Sequence, residues 1–289
     1  MIHRMGKNCT IYRIVFFIFL GVMLYACRKD MQSAAVVTTN PVISVTPSSA
    51  VTGGNITNDG GSNISVRGVC WSQDQDPTIN DEHISQGEGN GRFICNITGL
   101  LSNTKYYLKA YAVNIYGVSY GEEIVFRTDS FRIGLFYEGG KIFYIDPSGE
   151  HGFISALTDY PSDVPWYGNS YFEPVAMGNE IGEGKLNTIR IVNELGVGEY
   201  AAYVCFSLTL NGFHDWYLPS FRELTLMYEE RESIGGFVNV CYWSSTQSKF
   251  PDMTTIWWFG AKALNFLNGN SVVFPGKIDL CRVRQIRSF

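Results

Sequence analysis

The sequence predicts two domains of different class: an all-β, immunoglobulin-like sandwich followed by an α+β domain. Three observations predict this order. From Val36 to Asp129 the chain is a series of short β-branched runs that alternate apolar with polar residues, separated by Gly, Asn, Asp and Pro. Between about Asn187 and Gly236, apolar residues recur at helical spacing in three successive segments. From Cys241 to the end the period returns to two. The 289 residues suffice for two domains of ordinary size.

In the first domain the runs are VVTTNPVISV, AVTGGNIT, ISVRGVCWS, RFICNITGL, TKYYLKAYAV and EEIVFRT. Turn signals stand between them at DGGSN, DQDPTIND, GEGNG and NIYG. Closely spaced strands with such punctuation read as a β-sandwich. Tyr106, Leu108, Ala110 and Ala112 alternate onto one face, as a half-buried strand requires. Parity also directs Cys70, with Ile64 and Val66, and Cys95, with Phe93 and Ile97, between the sheets. They are then either a disulfide or two buried thiols.

Asp129-Ser130 joins the second domain, residues 130–289. It opens with FRIGLFYEGGKIFYID, two strands around the hairpin signal Glu138-Gly139-Gly140. Turn residues Pro147-Ser148-Gly149 and His151-Gly152 precede a short strand, FISAL. Asp159–Gly184 is rich in Gly, Pro and rings, among them Trp166, Tyr167, Tyr171 and Phe172, and reads as an ordered loop. Asn187 is expected to cap a helix reaching Leu195 and ended by Gly196. A second helix is expected over about Glu199–Leu208. A third starts at the capping box Ser220-Phe221-Arg222-Glu223, behind Pro219, with Leu224, Met227 and Tyr228 as its apolar face. YWSST, IWWFGAKAL, SVVF and LCRVRQIRSF read as closing strands.

The N-terminus carries an export pattern. Arg4, Lys7 and Arg13 precede an apolar run, Ile14–Tyr25, too short for a comfortable membrane span. The run ends in Leu24-Tyr25-Ala26-Cys27, which resembles a bacterial lipobox. On that reading residues 1–26 are a signal peptide, Cys27 is acylated, residues 27–35 are a tether, and the membrane partner is reached through lipid. The alternatives are an ordinary cleaved signal or an anchor helix. Cys70, Cys95, Cys205, Cys241 and Cys281 remain, an odd number, so at least one thiol stays unpaired within the chain.

Composition narrows the function. The net charge of −5 and the lack of a basic block argue against nucleic acid as a partner. No HExxH, GxSxG, Walker or dinucleotide motif is present, so no catalytic residue, metal ligand or cofactor is assigned. Cys205 with His214 is a formal thiol–imidazole pair; Asp215 could orient His214, but the two are adjacent in sequence and no nucleophile is evident. Trp166, Trp257 and Trp258 are candidate stacking platforms, because an indole offers both a flat apolar face and a donor N–H. Each is weighed against a plain core role. Arg282 and Arg284, with Arg287 nearby, are a candidate basic cluster. Residues 131–289 hold 12 Lys/Arg against 17 Asp/Glu, so salt bridges locking the closing strand are the favoured reading of those arginines.

Two resemblances sharpen the picture. The order GGNIT, RGVCWS, TGL, NTKYY and AY, with Leu100, Thr104 and Tyr106 at the places of a tyrosine corner, is similar to fibronectin type III-like domains over residues 36–129. In the second domain, His151-Gly152, the stretch Asp215-Trp216-Tyr217-Leu218-Pro219-Ser220 with Glu223, the YWSS of Trp243, and the closing VRQIRSF resemble the C-terminal domain of Legionella collagen-like adhesins. That resemblance implies a C-type-lectin-like fold, a packing role for Trp216 and Trp243, and binding at cell surfaces, with sulfated polysaccharide as a ligand class. Glu173-Pro174-Val175 keeps two residues of a calcium-dependent sugar motif, but Val175 stands where an amide ligand belongs. Together these features imply a lipid-anchored protein of the outer membrane or cell surface, an adhesin-like module for carbohydrate or surface-protein binding, with the first domain as spacer. The alternatives are a structural or assembly subunit without a glycan ligand, and an envelope enzyme on a lectin-like scaffold.

Overall fold

A computed structural model of the chain describes residues 32–167, 175–249, 259–274 and 278–289. The chain divides into two units, Met1–Ser130 and Phe131–Phe289. The expected signal peptide, Cys27 and most of the tether lie outside the described residues. No helix among the described residues is long and apolar enough to cross a membrane.

The first unit is a two-sheet antiparallel sandwich. One sheet has the order β1 (Val36–Val45), β2 (Ser49–Asn58), β5 (Gly91–Thr98). The other runs β4 (Glu82–Ser85), β3 (Val66–Ser72), β6 (Lys105–Asn114), β7 (Gly117–Tyr120), with β8 (Ile124–Arg127) on the other half of β6. Pro41 is tolerated in β1 because that strand lies at the sheet edge and its ladder breaks between Asn40 and Ser44. Ile56, Val69, Trp71, Phe93, Cys95, Ile97, Leu108 and Ala110 belong to one buried cluster between the sheets. The corner closes as anticipated: Leu101 donates its backbone N–H to Tyr106 Oη at 3.0 Å. One expectation fails. Val69 and Trp71 take the core face of β3, so alternation turns Cys70 to the opposite face, where its Sγ donates to the carbonyls of Pro77 and Lys109 at 3.6 Å. Cys95 faces the core, and both are free thiols.

In the second unit the hairpin signal is realised by β9 (Phe136–Tyr137) and β10 (Gly140–Ile145), with Gly140 opposite Tyr137. Glu138 and Gly139 both have positive φ, 42° and 94°, the requirement of a two-residue turn that matches strand twist. β10 pairs β11 (Gly152–Ser155), which pairs the last strand, β17 (Ile286–Ser288). A second sheet is β13 (Cys241–Lys249), β14 (Phe259–Asn265) and β15 (Ser271–Phe274). A third pairs the two-residue strands β12 (Val164–Pro165) and β16 (Leu280–Cys281). The stretch LCRVRQIRSF is therefore not one strand. It leaves the ladder at Val283–Gln285, where Arg284 turns inward, and re-enters a different sheet.

The helices are α1 (Gly184–Leu195), α2 (Ala201–Phe206), α3 (Phe221–Glu229) and α4 (Arg231–Ile234). Asn187 is not a cap. It lies inside α1 with its side chain buried, accepting from Gly178 N at 3.2 Å and donating to Gly178 O at 2.6 Å. The capping position is Glu183, which makes no side-chain cap. α2 is shorter than its apolar spacing suggests. At α3 the capping box is complete, Glu223 N donating to Ser220 Oγ at 3.2 Å and Ser220 N to Glu223 Oε2 at 2.7 Å.

Candidate functional site

The residues singled out by the sequence are organised by the interior of the second unit. The buried Glu223 carboxylate does more than close the capping box. Its Oε1 accepts the N–H of Gly182 at 2.8 Å. Burial raises the carboxyl above its ordinary value, against the pull of these backbone donors. Gly184 must be glycine, because a Cβ there would sit 2.2 Å from Glu223 Oε2. Thr246 Oγ1 accepts from Phe221 N at 2.9 Å and donates to Gly178 O at 2.7 Å. Polar side chains of α3 and β13 thus tie down the stretch that enters α1.

A second set holds the loop of the candidate rings. Trp166 Nε1 donates to Ser244 O at 2.7 Å, and Trp243 Nε1 donates to Val164 O at 2.8 Å. Trp166 and Trp243 are both fully buried in one cluster with Leu218 and Val283. Trp166 is therefore a core side chain and cannot stack on a ligand. Tyr167 packs half-buried on the same cluster. Trp216 is buried beside Ile142 and Ile154, its Nε1 without a hydrogen-bond partner among the described residues. Tyr171, Trp257 and Trp258 lie outside the described residues.

The arginines are claimed by the protein itself. Arg284 is fully buried. Its Nε donates to Asp159 Oδ1 at 2.6 Å, Nη2 to Gly236 O at 2.7 Å and Nη1 to Ala156 O at 3.0 Å, and the guanidinium lies 4.0 Å from the Phe237 ring centre. Asp159 also accepts from Tyr242 Oη at 2.7 Å. Arg282 reaches Asp163 at 2.7 Å. Arg287 bridges Asp215 at 2.8 Å and Glu138 at 2.7 Å over the Phe213 ring. Burial acts to raise Asp215, but the hydrogen bond and charge of Arg287 outweigh it and hold the carboxyl below its ordinary value. Arg282 and Arg284 thus do not form an open anion site. Asp159, Glu138, Tyr242 and Phe237 are partners that sequence reasoning missed; three arginines within six residues of a net-acidic domain were the available signal.

Catalytic chemistry finds no foothold in the pair considered. Cys205 is fully buried, its thiol pushed well up by burial, while His214 is exposed with Nδ1 2.9 Å from Thr209 Oγ1. No cluster of His, Cys, Asp and Glu suited to a metal occurs among the described residues. In the first unit an open cavity of about 1030 Å³ is lined by residues that include Trp71, Asp74, Asp81, Glu82, His83 and Tyr106.

What the second unit does bring together is a row of strand ends. Gln247 pairs with Ala261, and Ala261 with Phe274. On the other side of Gln247, its N–H donates to Ala176 O at 2.8 Å and its Oε1 accepts from Ala176 N at 2.8 Å. Lys249 and Phe259, the next described residues flanking 250–258, are themselves paired. Ala176, Lys249, Phe259 and Phe274 therefore lie at one end of the β13–β14–β15 sheet. Val175, next to Ala176 in that row, is exposed and apolar.

No family model matches the chain, and no curated protein matches it. Among solved structures, the chain is similar to the sensor domain of the anti-sigma factor RsgI4 in Pseudobacteroides cellulosolvens, with 18% identity, a TM-score of 0.27, and coverage of 34% of this chain and 98% of that one. It is also similar to an FN3 domain of human collagen XX, with 20% identity, a TM-score of 0.25, and coverage of 34% of this chain and 94% of that one. A third likeness is to the fibronectin type-III domain of human fibronectin type III domain containing protein 3, with 16% identity, a TM-score of 0.24, and coverage of 34% of this chain and 87% of that one.

Proposed function

We propose that this chain is an exported, lipid-anchored envelope protein. In this reading the second unit is a C-type-lectin-like head that binds a glycan or another surface ligand, and the first unit is a spacer. The support is of two kinds. The four motifs that resemble adhesin C-terminal domains occur in order, and the described strands bring chain ends together at one end of a sheet. The observation that carries the binding role is the row Ala176–Gln247–Ala261–Phe274, which sets described neighbours in sequence of Tyr171, Trp257 and Trp258 together at one end of a sheet. Loops on a rigid sheet are where binding sites usually lie. The basic cluster has no part in this reading, since its charges are already neutralised in the fold.

The test is a glycan array, with bacterial and host surface polysaccharides, probed with the full chain. Binding that survives Arg282→Ala but is lost on Trp257→Ala or Trp258→Ala is the expected result. Absence of any glycan or surface ligand, with the protein recovered instead in a stable envelope complex, would replace the binding reading with an assembly role. Anchoring is tested separately: Cys27→Ser should release the protein from membranes or block its processing. A fully processed, membrane-bound variant would refute the lipid anchor.

A further inference from the structure

Two cysteines of the second unit stand side by side across neighbouring chain segments. β13 meets the end of β16 through a parallel bridge between Tyr242 and Arg282. Arg282 donates its N–H to Cys241 O at 3.0 Å, and Trp243 donates its N–H to Arg282 O at 3.0 Å. Side chains alternate along extended backbone, so the residues one place before each bridge partner project to a common face. Those residues are Cys241 and Cys281. Each thiol perturbs the titration of the other, as neighbouring side chains do. Adjacent strands lie about 4.8 Å apart, inside the roughly 4.4–6.8 Å between Cα atoms that a disulfide accepts. Both thiols are reduced in this structure.

The surroundings make the two members unequal. Cys281 is buried, with Val164 of β12 paired beside it, whereas Cys241 is only half-buried. The other cysteines are placed differently. Cys70 and Cys95 belong to the first unit and face opposite sides of its second sheet's β3, and Cys205 is enclosed in α2.

We propose that Cys241 and Cys281 form an oxidisable pair that closes into a disulfide joining β13 to β16. The co-reactant is a disulfide-bearing thiol oxidant, a small molecule or a protein. Cys241, the accessible member, loses its proton and attacks one sulfur of that disulfide, expelling the other sulfur as a thiolate. Cys281 then loses its proton and displaces the oxidant's remaining sulfur from Cys241. Two protons and two electrons leave the pair, and the oxidant's disulfide is reduced to two thiols. Burial holds both thiols above the ordinary thiol range, which slows closure at neutral pH and makes it faster in mild alkali. The resulting ring encloses β14 and β15 and anchors the base of β13 to the closing segment. This inference does not depend on the proposed ligand.

The experiment uses the full chain, folded and treated with oxidised glutathione at pH 8. It is then alkylated under denaturing conditions and digested without reduction for mass spectrometry. A peptide linking Cys241 to Cys281, lost on reduction, is expected, with Cys205 alkylated. In Cys241→Ser the link should vanish and Cys281 should become alkylatable. The oxidised wild type should also melt several degrees above its reduced form, a difference absent from Cys281→Ser. If the serine variants fail to fold, the wild-type peptide map decides alone. Alkylation of both thiols after oxidation of a chain still folded by circular dichroism would overturn the proposal. So would glutathione held on Cys241 without closure, or a link from either cysteine to Cys205.

Discussion

The two units bury different kinds of residue. In the first, the buried polar side chains among the described residues are Thr52, Ser102, Asn114 and Thr128, none of them charged. In the second, Glu223, Arg284 and Arg287 are buried together with Asn187, Gln247 and Gln285. The reason lies in the backbone. A sandwich satisfies nearly all its N–H and C=O groups through ladders, and only its corners need help, as where Thr128 Oγ1 donates to Leu101 O at 2.6 Å. The second unit threads irregular chain through its interior, and those peptide groups have no ladder. Arg284 serves the carbonyls of Ala156, Gly235 and Gly236; Glu223 serves the N–H groups of Ser220 and Gly182; Gln247 serves that of Ala176. Side chains there do the work that strand partners do in the sandwich.

The comparison breaks first at its largest effects. Arg284→Met should cost about 3–5 kcal/mol, because Asp159 and several carbonyls would be left buried without their partner. Trp166→Ala should cost about as much, roughly 3–5 kcal/mol, by emptying a large core volume. Calorimetry of the full chain should show each loss confined to the unfolding of the second unit. A change below about 1 kcal/mol for Arg284→Met would mean that the polar interior is incidental to stability. An unaltered melting profile for Trp166→Ala would return that ring to the list of ligand platforms.

What the sequence made legible follows the same division. Alternation sufficed for the sandwich, and the tyrosine corner was readable because Leu100, Thr104 and Tyr106 are close in sequence. The exception is Cys70, whose parity with Ile64 misled because Trp71 and Val69 claim the core face of β3. In the second unit only local devices were legible. The Ser220–Glu223 box spans four residues and formed as expected. The fate of Arg284 depends on Asp159, 125 residues away, and no local pattern encodes such a partner. Asn187 read as a cap because a buried amide inside a helix is indistinguishable in sequence from one at its start. For the candidate site, a tryptophan in a Gly-rich loop is equally consistent with stacking and with packing; the hydrogen bond from Trp166 to Ser244 decides between them.

Smaller effects sharpen the contrast by matching one device in each unit. Tyr106→Phe removes the acceptor for Leu101 N and should cost about 1–2 kcal/mol in the first unit. Ser220→Ala removes the cap of α3 and should cost about 1 kcal/mol in the second. Chemical denaturation of each variant, followed by circular dichroism, checks both. If Ser220→Ala proved the costlier by a wide margin, the hydroxyl's further bond to Glu180 O, at 2.8 Å, would be the reason, and the cap would be part of the polar interior.

The smallest expected effect concerns acid. Asp215 is held below its ordinary value of 3.8, burial opposing and Arg287 prevailing. A carboxyl whose folded value is depressed binds protons more readily in the unfolded chain. Its contribution is therefore complete above about pH 4–5 and is lost as pH falls from the ordinary value down through the folded one. Because the carboxylate is more than one-third exposed, solvent screening limits that contribution to under about 1 kcal/mol. Asp215→Asn should accordingly lower the urea midpoint at pH 6, and the gap from wild type should close as pH approaches 3. Raising salt to about 1 M should narrow the pH 6 gap as well, since the pair is partly open to ions. A gap that stayed constant from pH 6 to pH 3 would show that Asp215 acts through its shape and hydrogen bonds alone. The charge on Arg287 would then be balanced by Glu138, its other partner at 2.7 Å.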